Sequence, residues 1–167
     1  MGFLNEVEDA IPALQRYARA MLRDPVRADD LVQDCLERAL RKRHLWKPRG
    51  AVRSWLFKMM LNIHRDQLRS PQAKARFEPV EDAGLAAHDA RAGRTALRET
   101  ARHMARLPFE QRQVLLLIAV EGFSYAEACK ILGIPKGTLM SRLARARAAL
   151  REMRDGEPVS VGLRQVK

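Results

Sequence analysis

Residues Ser124–Arg151 read SYAEACKILGIPKGTLMSRLARARAALR, and this stretch has the pattern of two helices joined by a tight turn. Ser124 followed by Glu127 is typical of a capping box, in which the two side chains satisfy free backbone donors at the start of a helix. Gly133 can adopt the left-handed conformation that ends a helix, and Pro135 cannot continue one. The sequence therefore predicts two helices, Tyr125 to Leu132 and Lys136 to about Arg151.

The second of these helices has two different faces. At about 100° per residue, one face is apolar and consists of Leu139, Leu143, Ala146 and Leu150. The opposite face combines small residues with arginine, and no acidic residue occurs from Thr138 to Arg151. Such a face can lie in a DNA major groove, where arginine reaches base edges and phosphates. The pattern predicts a helix-turn-helix; the alternative is a helical hairpin with a solvated face, which would usually mix both charge signs.

The overall composition points to a polyanionic partner. The chain of 167 residues has a net charge of +11, of which residues 1–70 contribute +5 and residues 101–154 contribute +6, whereas residues 71–100 are neutral. Nucleic acid is the usual partner of so basic a chain. The two basic blocks on either side of a neutral connector predict two nucleic-acid-binding parts.

Several classes of protein find little support in the sequence. Apolar runs are far shorter than the roughly 20 residues of a membrane span, and the acidic N-terminus does not resemble a signal peptide, so we expect a cytoplasmic protein. Cys35 and Cys129 have no cysteine or histidine at metal-ligand spacing, and we expect buried thiols. Motifs for phosphate binding or nucleophilic catalysis do not occur. We therefore expect no metal, no cofactor and no enzymatic activity.

The N-terminal part has apolar residues at helical spacing from about Glu6 to Arg23, Val26 to Arg43 and Val52 to Arg69. The second of these helices is acidic at its start and basic at its end, an order that suits the helix dipole. A dipole-matched surface helix and a docking surface for a protein partner explain this order equally well.

The segment from Arg41 to Arg69 has nine basic residues and a single acid, and it includes both tryptophans. Basic side chains interleaved with aromatic rings are typical of proteins that bind single-stranded nucleic acid, since the rings stack on unpaired bases. Packing in a core is the alternative for both rings. We favour the core for Trp55, whereas for Trp46, in a Pro/Gly loop, base contact and packing remain open.

The rest of the chain completes a two-domain pattern. Residues 71–94 have the composition of a flexible linker that can include one short helical piece. The apolar spacing after it predicts helices from about Thr95 to Arg106 and from Glu110 to Glu121. The residues after Glu152 have the composition of an unstructured tail. No segment alternates as a half-buried strand does. We expect an all-α protein of two small helical domains, residues 1–70 and 95–154, with the linker at 71–94 and the tail at 155–167.

Both basic blocks resemble the extracytoplasmic-function, or group IV, sigma factors of bacterial RNA polymerase. The segments DDLVQDCLERAL and GAVRSWLFKMMLNIHRDQLR are similar to the second conserved region of that family. The segment LPFEQRQVLLLIAVEGFSYAEACKILGIPKGTLMSRLARARAALR is similar to its fourth region. The two regions occur in the family's order, which makes the resemblance specific.

The resemblance implies roles for individual side chains. Docking on the clamp helices of the largest polymerase subunit is implied for Asp30, Gln33, Asp34 and Glu37. Recognition and opening of the minus-10 element are implied for Arg43, His44, Trp46, Lys47, Arg49, Arg53, Asn62 and Arg65. Recognition of the minus-35 element is implied for Lys136, Thr138, Met140, Ser141, Arg142 and Arg145. The implied partners are the polymerase core with its clamp helices and flap, promoter DNA, and an anti-sigma factor held between the two domains.

Two residues depart from the family pattern. Met140 stands where many relatives have Lys or Arg, and Ala144 where some have a bulkier groove contact, so guanine readout would depend on Arg142 or Arg145.

Other functions are also considered. A stand-alone DNA-binding regulator would not need the Arg41–Arg69 block. A decoy that binds an anti-sigma factor would be expected to have a receiver domain, for which this sequence leaves no room. An enzyme would need a constellation of residues that the sequence lacks.

Overall fold

The computed structural model describes residues 2–47, 51–71 and 93–156, and all regular elements in these ranges are helical. The helices are α1 (Phe3–Leu22), α2 (Pro25–Arg41), α3 (Val52–Arg69), α4 (Gly93–Arg106), α5 (Phe109–Leu115), α6 (Tyr125–Leu132) and α7 (Lys136–Gly156). A 3-10 turn follows α2 at Arg43–Leu45, and a π-helical turn extends α5 at Leu116–Val120. The all-α prediction is confirmed.

Two elements differ from the sequence-based expectation. The predicted single helix Glu110–Glu121 is an α-helix only to Leu115 and then widens into the π-helical turn. Helix α7 continues to Gly156, beyond the point at which a tail was expected, because half-buried Met153 still packs against the core. The expected linker lies almost wholly in residues 72–92, outside the described residues.

Helices α1, α2 and α3 form the N-terminal unit. Their apolar faces pack against one another. Asp24 begins α2 by accepting hydrogen bonds from the backbone N–H groups of Val26 and Arg27, at 3.1 and 3.2 Å. Pro25 then occupies the first helical position, where no N–H is needed. The core of this unit is lined by Leu14, Met21, Leu31, Cys35, Leu56 and Met60, each with less than 2% of its surface exposed.

Helices α4 to α7 form the C-terminal unit, in which α7 lies across α5 and α6. Its core is lined by Val114, Leu117, Ala128, Ile131, Leu139 and Leu143. The two units are in contact, and their buried apolar residues form one continuous core.

A row of aromatic rings crosses the boundary between the two units. Tyr17 and Phe57 of the N-terminal unit pack edge to face at 5.3 Å, and Phe57 packs in the same way on Phe123 of the C-terminal unit at 5.0 Å. The Tyr17 hydroxyl donates a hydrogen bond to the carbonyl oxygen of Gln113 at 3.1 Å. Burial raises the pKa of this phenol well above its usual value, so it stays protonated and remains a donor.

The buried guanidinium of Arg112 joins the units at a second place. It donates hydrogen bonds to the carbonyl oxygens of Ala105 and Leu107 in its own unit, both at 3.0 Å. A further bond, of 2.9 Å, reaches the carbonyl oxygen of Met21 at the end of α1. Because burial leaves the charge of Arg112 poorly solvated, the pKa of this guanidinium is lowered from its usual value. The carbonyl groups around it therefore have to stay in place to compensate it.

No helix in the described part of the chain is long and apolar enough to cross a membrane.

Because the ring of His64 is buried, we expect the folded protein to lose stability in mild acid. The ring packs on Phe109 at 5.5 Å, and its pKa is lowered from the usual 6.5 to about 4, first by burial and then by the charge of Arg27. Between pH 6.5 and about 4, the His64 imidazole is therefore protonated in the unfolded chain but neutral in the folded chain. We expect this group to reduce the free energy of unfolding by about 1 kcal/mol between pH 7.5 and 5.5.

Urea unfolding at both pH values tests this expectation. The variant His64→Gln should lack that part of the pH dependence, whereas His44→Gln, which changes an exposed ring, should keep it. Equal pH dependence in both variants would contradict the assignment.

Candidate nucleic-acid interface

The predicted capping box and turn are present at the start of the C-terminal helix pair. The Ser124 hydroxyl accepts a hydrogen bond from the N–H of Glu127 at 3.2 Å, and the Glu127 carboxylate accepts one from the N–H of Ser124 at 2.8 Å. These bonds from Ser124 lower the pKa of Glu127. Gly133 has a φ of 66° and ends α6 in the left-handed conformation. The sequence prediction of this helix-turn-helix is confirmed.

Helix α7 buries its apolar face and presents its basic face to solvent. Leu139, Leu143 and Ala146 are at most 1% exposed. Of the side chains predicted to contact the minus-35 element, Lys136, Met140, Ser141 and Arg145 are exposed, and Thr138 and Arg142 are half-buried. Ser141 and Arg145 lie opposite the buried face, and the other four side chains lie on its flanks. The helix can therefore enter a groove of DNA without any rearrangement within its own unit.

One of these side chains is already held by an acid. An Nη of Arg142 lies 3.2 Å from a carboxylate oxygen of Glu110, at the start of α5. The Arg142 side chain is only 24% exposed, whereas that of Glu110 is 65% exposed. A shallow groove beside this pair is lined by Pro108, Gln111, Gly137, Thr138, Ser141 and Arg145. Arg145, unlike Arg142, is exposed on this face.

The side chains predicted for the minus-10 element fall into two groups in the N-terminal unit. Arg43, His44 and Lys47 follow α2 and are exposed. Trp46 is half-buried against Phe3, with 5.4 Å between ring centres. Trp55 is likewise half-buried and packs on Phe3 at 6.0 Å. Arg49 lies outside the described residues, as do Pro48 and Gly50.

The second group lies on α3, at the boundary with the C-terminal unit. Arg53 donates to the carboxylate of Glu121 at 2.7 Å and to its carbonyl oxygen at 2.9 Å. Arg65 donates to the carbonyl oxygen of Leu132 at 3.0 Å and lies 3.5 Å from the Oδ1 of Asn62. Sequence reasoning did not find Glu121, because the sequence around it gives no sign that it accepts bonds from residues of the other unit.

The acidic side chains of α2 form a separate surface. Asp30, Gln33, Asp34 and Glu37 are all exposed. Gln33 donates to Glu37 at 3.2 Å, and Gln67 of α3 donates to Asp34 at 3.2 Å. These are neighbour contacts within one unit, so the negative surface stays open to a partner.

In the described ranges, no cluster of three or more His, Cys, Asp or Glu side chains could hold a metal ion. Cys35 is fully buried and donates weakly to the carbonyl oxygen of Leu56 at 3.4 Å. Burial raises the pKa of this thiol to about 12, so it is not a nucleophile near neutral pH. Cys129 is half-buried and is also a free thiol.

Comparison with known proteins connects this geometry to a family. Residues 7–61 match the family described as the Sigma2 domain of PhyR, and residues 97–150 match Sigma-70, region 4. The chain is 33% identical to the ECF RNA polymerase sigma factor EcfG of Rhodopseudomonas palustris over 152 residues, which is 87% of this chain and 81% of that protein. The chain belongs to the ECF RNA polymerase sigma factors.

Further relatives agree with this family membership. The ECF sigma factor SigM of Mycobacterium tuberculosis is 38% identical over 141 residues, covering 82% of this chain and 69% of SigM. The sigma factor RpoE of Bartonella quintana, solved in complex with the anti-sigma factor NepR, superposes with a TM-score of 0.79 at 30% identity. That similarity covers 93% of this chain and 98% of RpoE, so it includes both helical units.

Because the Ser124 hydroxyl caps α6, its removal should measurably lower the free energy of unfolding of this sigma factor. In Ser124→Ala the N–H of Glu127 loses its acceptor, and the free energy of unfolding should fall by about 1 kcal/mol. Ser141→Ala removes a hydroxyl from the exposed face of α7, where it caps nothing, and should change stability by less than about 0.5 kcal/mol. Urea unfolding of both variants at pH 7.5 makes the comparison, and equal losses would argue against the capping role.

Proposed function

We propose that this ECF sigma factor brings core RNA polymerase to a promoter by reading two DNA elements, one with each helical unit. The observation that carries this proposal is the pair of separate basic surfaces, one on α7 and one around α3. In this division of labour residues 1–70 dock on polymerase and read the minus-10 element. Residues 95–154 read the minus-35 element, and residues 71–94 link the two parts. The protein acts in the cytoplasm and has no catalytic activity of its own.

The minus-35 element is read in the major groove by the outer face of α7. Thr138, Ser141 and Arg145 lie at the centre of this face, and Lys136, Met140 and Arg142 flank it. Arg145 has the exposure that a bidentate contact with guanine requires. Arg142 is available only if DNA competes with Glu110 for its guanidinium. Met140, 39% exposed, offers an apolar contact rather than a charge.

The minus-10 element is opened and held by the surface that includes the end of α2, the following loop and α3. Exposed Arg43, His44 and Lys47 supply donors for the phosphates of a displaced strand. The family resemblance implies the same role for Arg49. Trp46, which keeps part of its ring accessible, can stack on an unpaired base at the edge of this surface. Arg53, Asn62 and Arg65 continue the surface along α3.

Polymerase docks on the acidic surface of α2, through Asp30, Gln33, Asp34 and Glu37. The support for this role is the exposure of all four side chains on one helix and the resemblance of this segment to the family's second conserved region. The flap of polymerase contacts the C-terminal unit and keeps α7 at the upstream element.

An anti-sigma factor holds the protein inactive in this proposal. RpoE, which resembles this chain along nearly its whole length, was solved with the anti-sigma factor NepR. A partner of this kind would contact both units and prevent them from reaching DNA. Adding the purified anti-sigma factor of the host to a transcription reaction should abolish initiation by this protein.

A second candidate function is that of a decoy that binds an anti-sigma factor without reading promoters. It is favoured by the match of residues 7–61 to the Sigma2 domain of PhyR. A decoy needs the surface that binds the anti-sigma factor but not the basic face of α7. Replacement of Arg142 and Arg145 should therefore leave a decoy active, whereas a promoter-reading sigma factor would lose minus-35 recognition.

Run-off transcription is the direct test of the proposed function. The full chain and purified core polymerase, incubated with genomic DNA, should initiate at defined sites that share a minus-10 and a minus-35 element. Neither the chain alone nor the core alone should do so. An absence of defined start sites with an active core preparation would overturn the proposal.

The exposed arginines of α7 allow a sharper test of base readout. Arg145→Ala should cost about 1–3 kcal/mol in discrimination between the minus-35 element and a scrambled sequence. Arg147→Ala removes the same charge from an exposed position on the flank of the helix, so it should weaken binding to both sequences alike. Competition assays with the polymerase complex at fixed salt measure the ratio. An equal ratio for the two variants would remove Arg145 from the list of base contacts.

A further inference from the structure

A buried carboxylate joins the two helical units. The side chain of Glu121, directly after the π-helical turn, has no exposed surface. Arg16 of α1 donates to both of its oxygens, at 3.0 and 2.8 Å, and Arg53 of α3 donates to it at 2.7 Å. This bonding raises the pKa of Arg16. Both cations belong to the N-terminal unit, so the pairing exists only while the units are in contact.

We propose that this contact is a self-inhibiting latch, in which Glu121 holds the two units in a closed state that cannot read both elements of a promoter together. The inference rests on the proposed function, because it concerns the DNA contacts assigned there. In the closed state the guanidinium of Arg53 is bonded to Glu121 and lies over the ring of Phe123, 4.3 Å from its centre. Arg65 is bonded to the end of α6. Two of the cations proposed for the minus-10 element are thus occupied by the other unit.

The spacing of promoter elements leads to the same conclusion independently. The minus-10 and minus-35 positions lie roughly 25 base pairs apart, which is about 85 Å at 3.4 Å per base pair. A compactly folded chain of this length has a radius of gyration of only about 15 Å. Residues Arg65 and Leu132, one from each unit, are in hydrogen-bond contact at 3.0 Å. The closed chain cannot place its two units on the two elements together, so it must open.

The latch has the properties of a contact that can be released. The Arg16 side chain is 54% exposed and that of Arg53 is 36% exposed, so water can reach both cations. Breaking these ion pairs destabilises Glu121 more than the arginines, because a buried carboxylate without its cations is costly unless it becomes solvated. When the units separate, Glu121 reaches water and Arg53 becomes free for the minus-10 strand.

The order of events follows from the surfaces that closure leaves open. The acidic surface of α2 is exposed in the closed state, whereas the guanidinium groups of Arg53 and Arg65 are hydrogen-bonded to the other unit. Polymerase can therefore capture the closed chain first. Separation of the units then frees Arg53 and Arg65 on polymerase rather than in the free protein, which limits the binding of these two cations to unrelated DNA.

Two arginines on the same helix provide a matched test. Arg16 and Arg19 both lie on α1, are 54% and 53% exposed, and pair with a carboxylate at 2.8 and 2.9 Å. The carboxylate of Arg19 is Asp29 of the same unit, whereas that of Arg16 is Glu121 of the other unit. Arg16→Gln should therefore open the chain, and Arg19→Gln should not.

Opening is measured on the free, full-length chain. In Arg16→Gln the radius of gyration from small-angle X-ray scattering should increase. Hydroxyl-radical oxidation of Phe123, which is 6% exposed in the closed state, should accelerate about tenfold. Arg19→Gln should match the wild type in both measurements, and circular dichroism should show native helix content in both variants. Equal behaviour of the two variants would overturn the latch.

Tyr17→Phe keeps the test decisive if Arg16→Gln does not fold. This change removes only the hydroxyl that bonds the carbonyl oxygen of Gln113 across the boundary, and it should also increase Phe123 oxidation. Unchanged oxidation in a folded Tyr17→Phe would count against closure. These measurements involve neither polymerase nor promoter, so a failure of run-off transcription with a chain that opens as expected would reject the proposed function and leave only the closure of the two units by Glu121 standing.

Discussion

The need to pair one buried carboxylate explains much of the closed arrangement. Glu121 is fully buried, and a buried charge is tolerated only where cations and hydrogen bonds compensate it. Both compensating cations, Arg16 and Arg53, come from the other helical unit. The π-helical turn before Glu121 adds one residue to a helical turn and so sets the direction in which its side chain points. The aromatic row of Tyr17, Phe57 and Phe123 then buries the apolar surface beside this pair.

The same feature links stability to function in this sigma factor. An arginine that binds a phosphate well also binds a carboxylate well, since both accept from its planar guanidinium. Arg53 can therefore serve the closed state through Glu121 and the open state through DNA, but not both together. Arg112 differs, because its guanidinium is buried among backbone carbonyl groups and has no access to DNA. The closed state thus depends on two kinds of contact. DNA phosphates can replace Glu121 as the partner of Arg53, but they cannot replace the carbonyl groups that bind Arg112.

Local features of the fold could be predicted from the sequence, whereas contacts between distant segments could not. The capping box at Ser124 and the end of α6 at Gly133 depend on residues a few positions apart, and both were predicted correctly. The basic face of α7 follows from helical periodicity alone. Contacts between segments far apart in the chain, such as Arg16 with Glu121, follow from how the units pack, which periodicity does not determine. The π-helical turn was missed for a related reason, because Leu116–Val120 has the same apolar composition as an ordinary buried helix.

A closed state that exists without a partner changes what an anti-sigma factor has to do. A ligand shifts a two-state equilibrium only by its difference in affinity for the two states. A protein that binds both helical units while they are in contact would stabilise the packing of Phe57 on Phe123 and the pairing at Glu121 without having to build either. Polymerase and DNA have the opposite effect. Polymerase can bind the exposed surface of α2 in both states, whereas DNA can bind Arg53 only in the open state. The equilibrium between the closed and the open state then depends on the contacts of Glu121, which lies away from the helix that reads the minus-35 element.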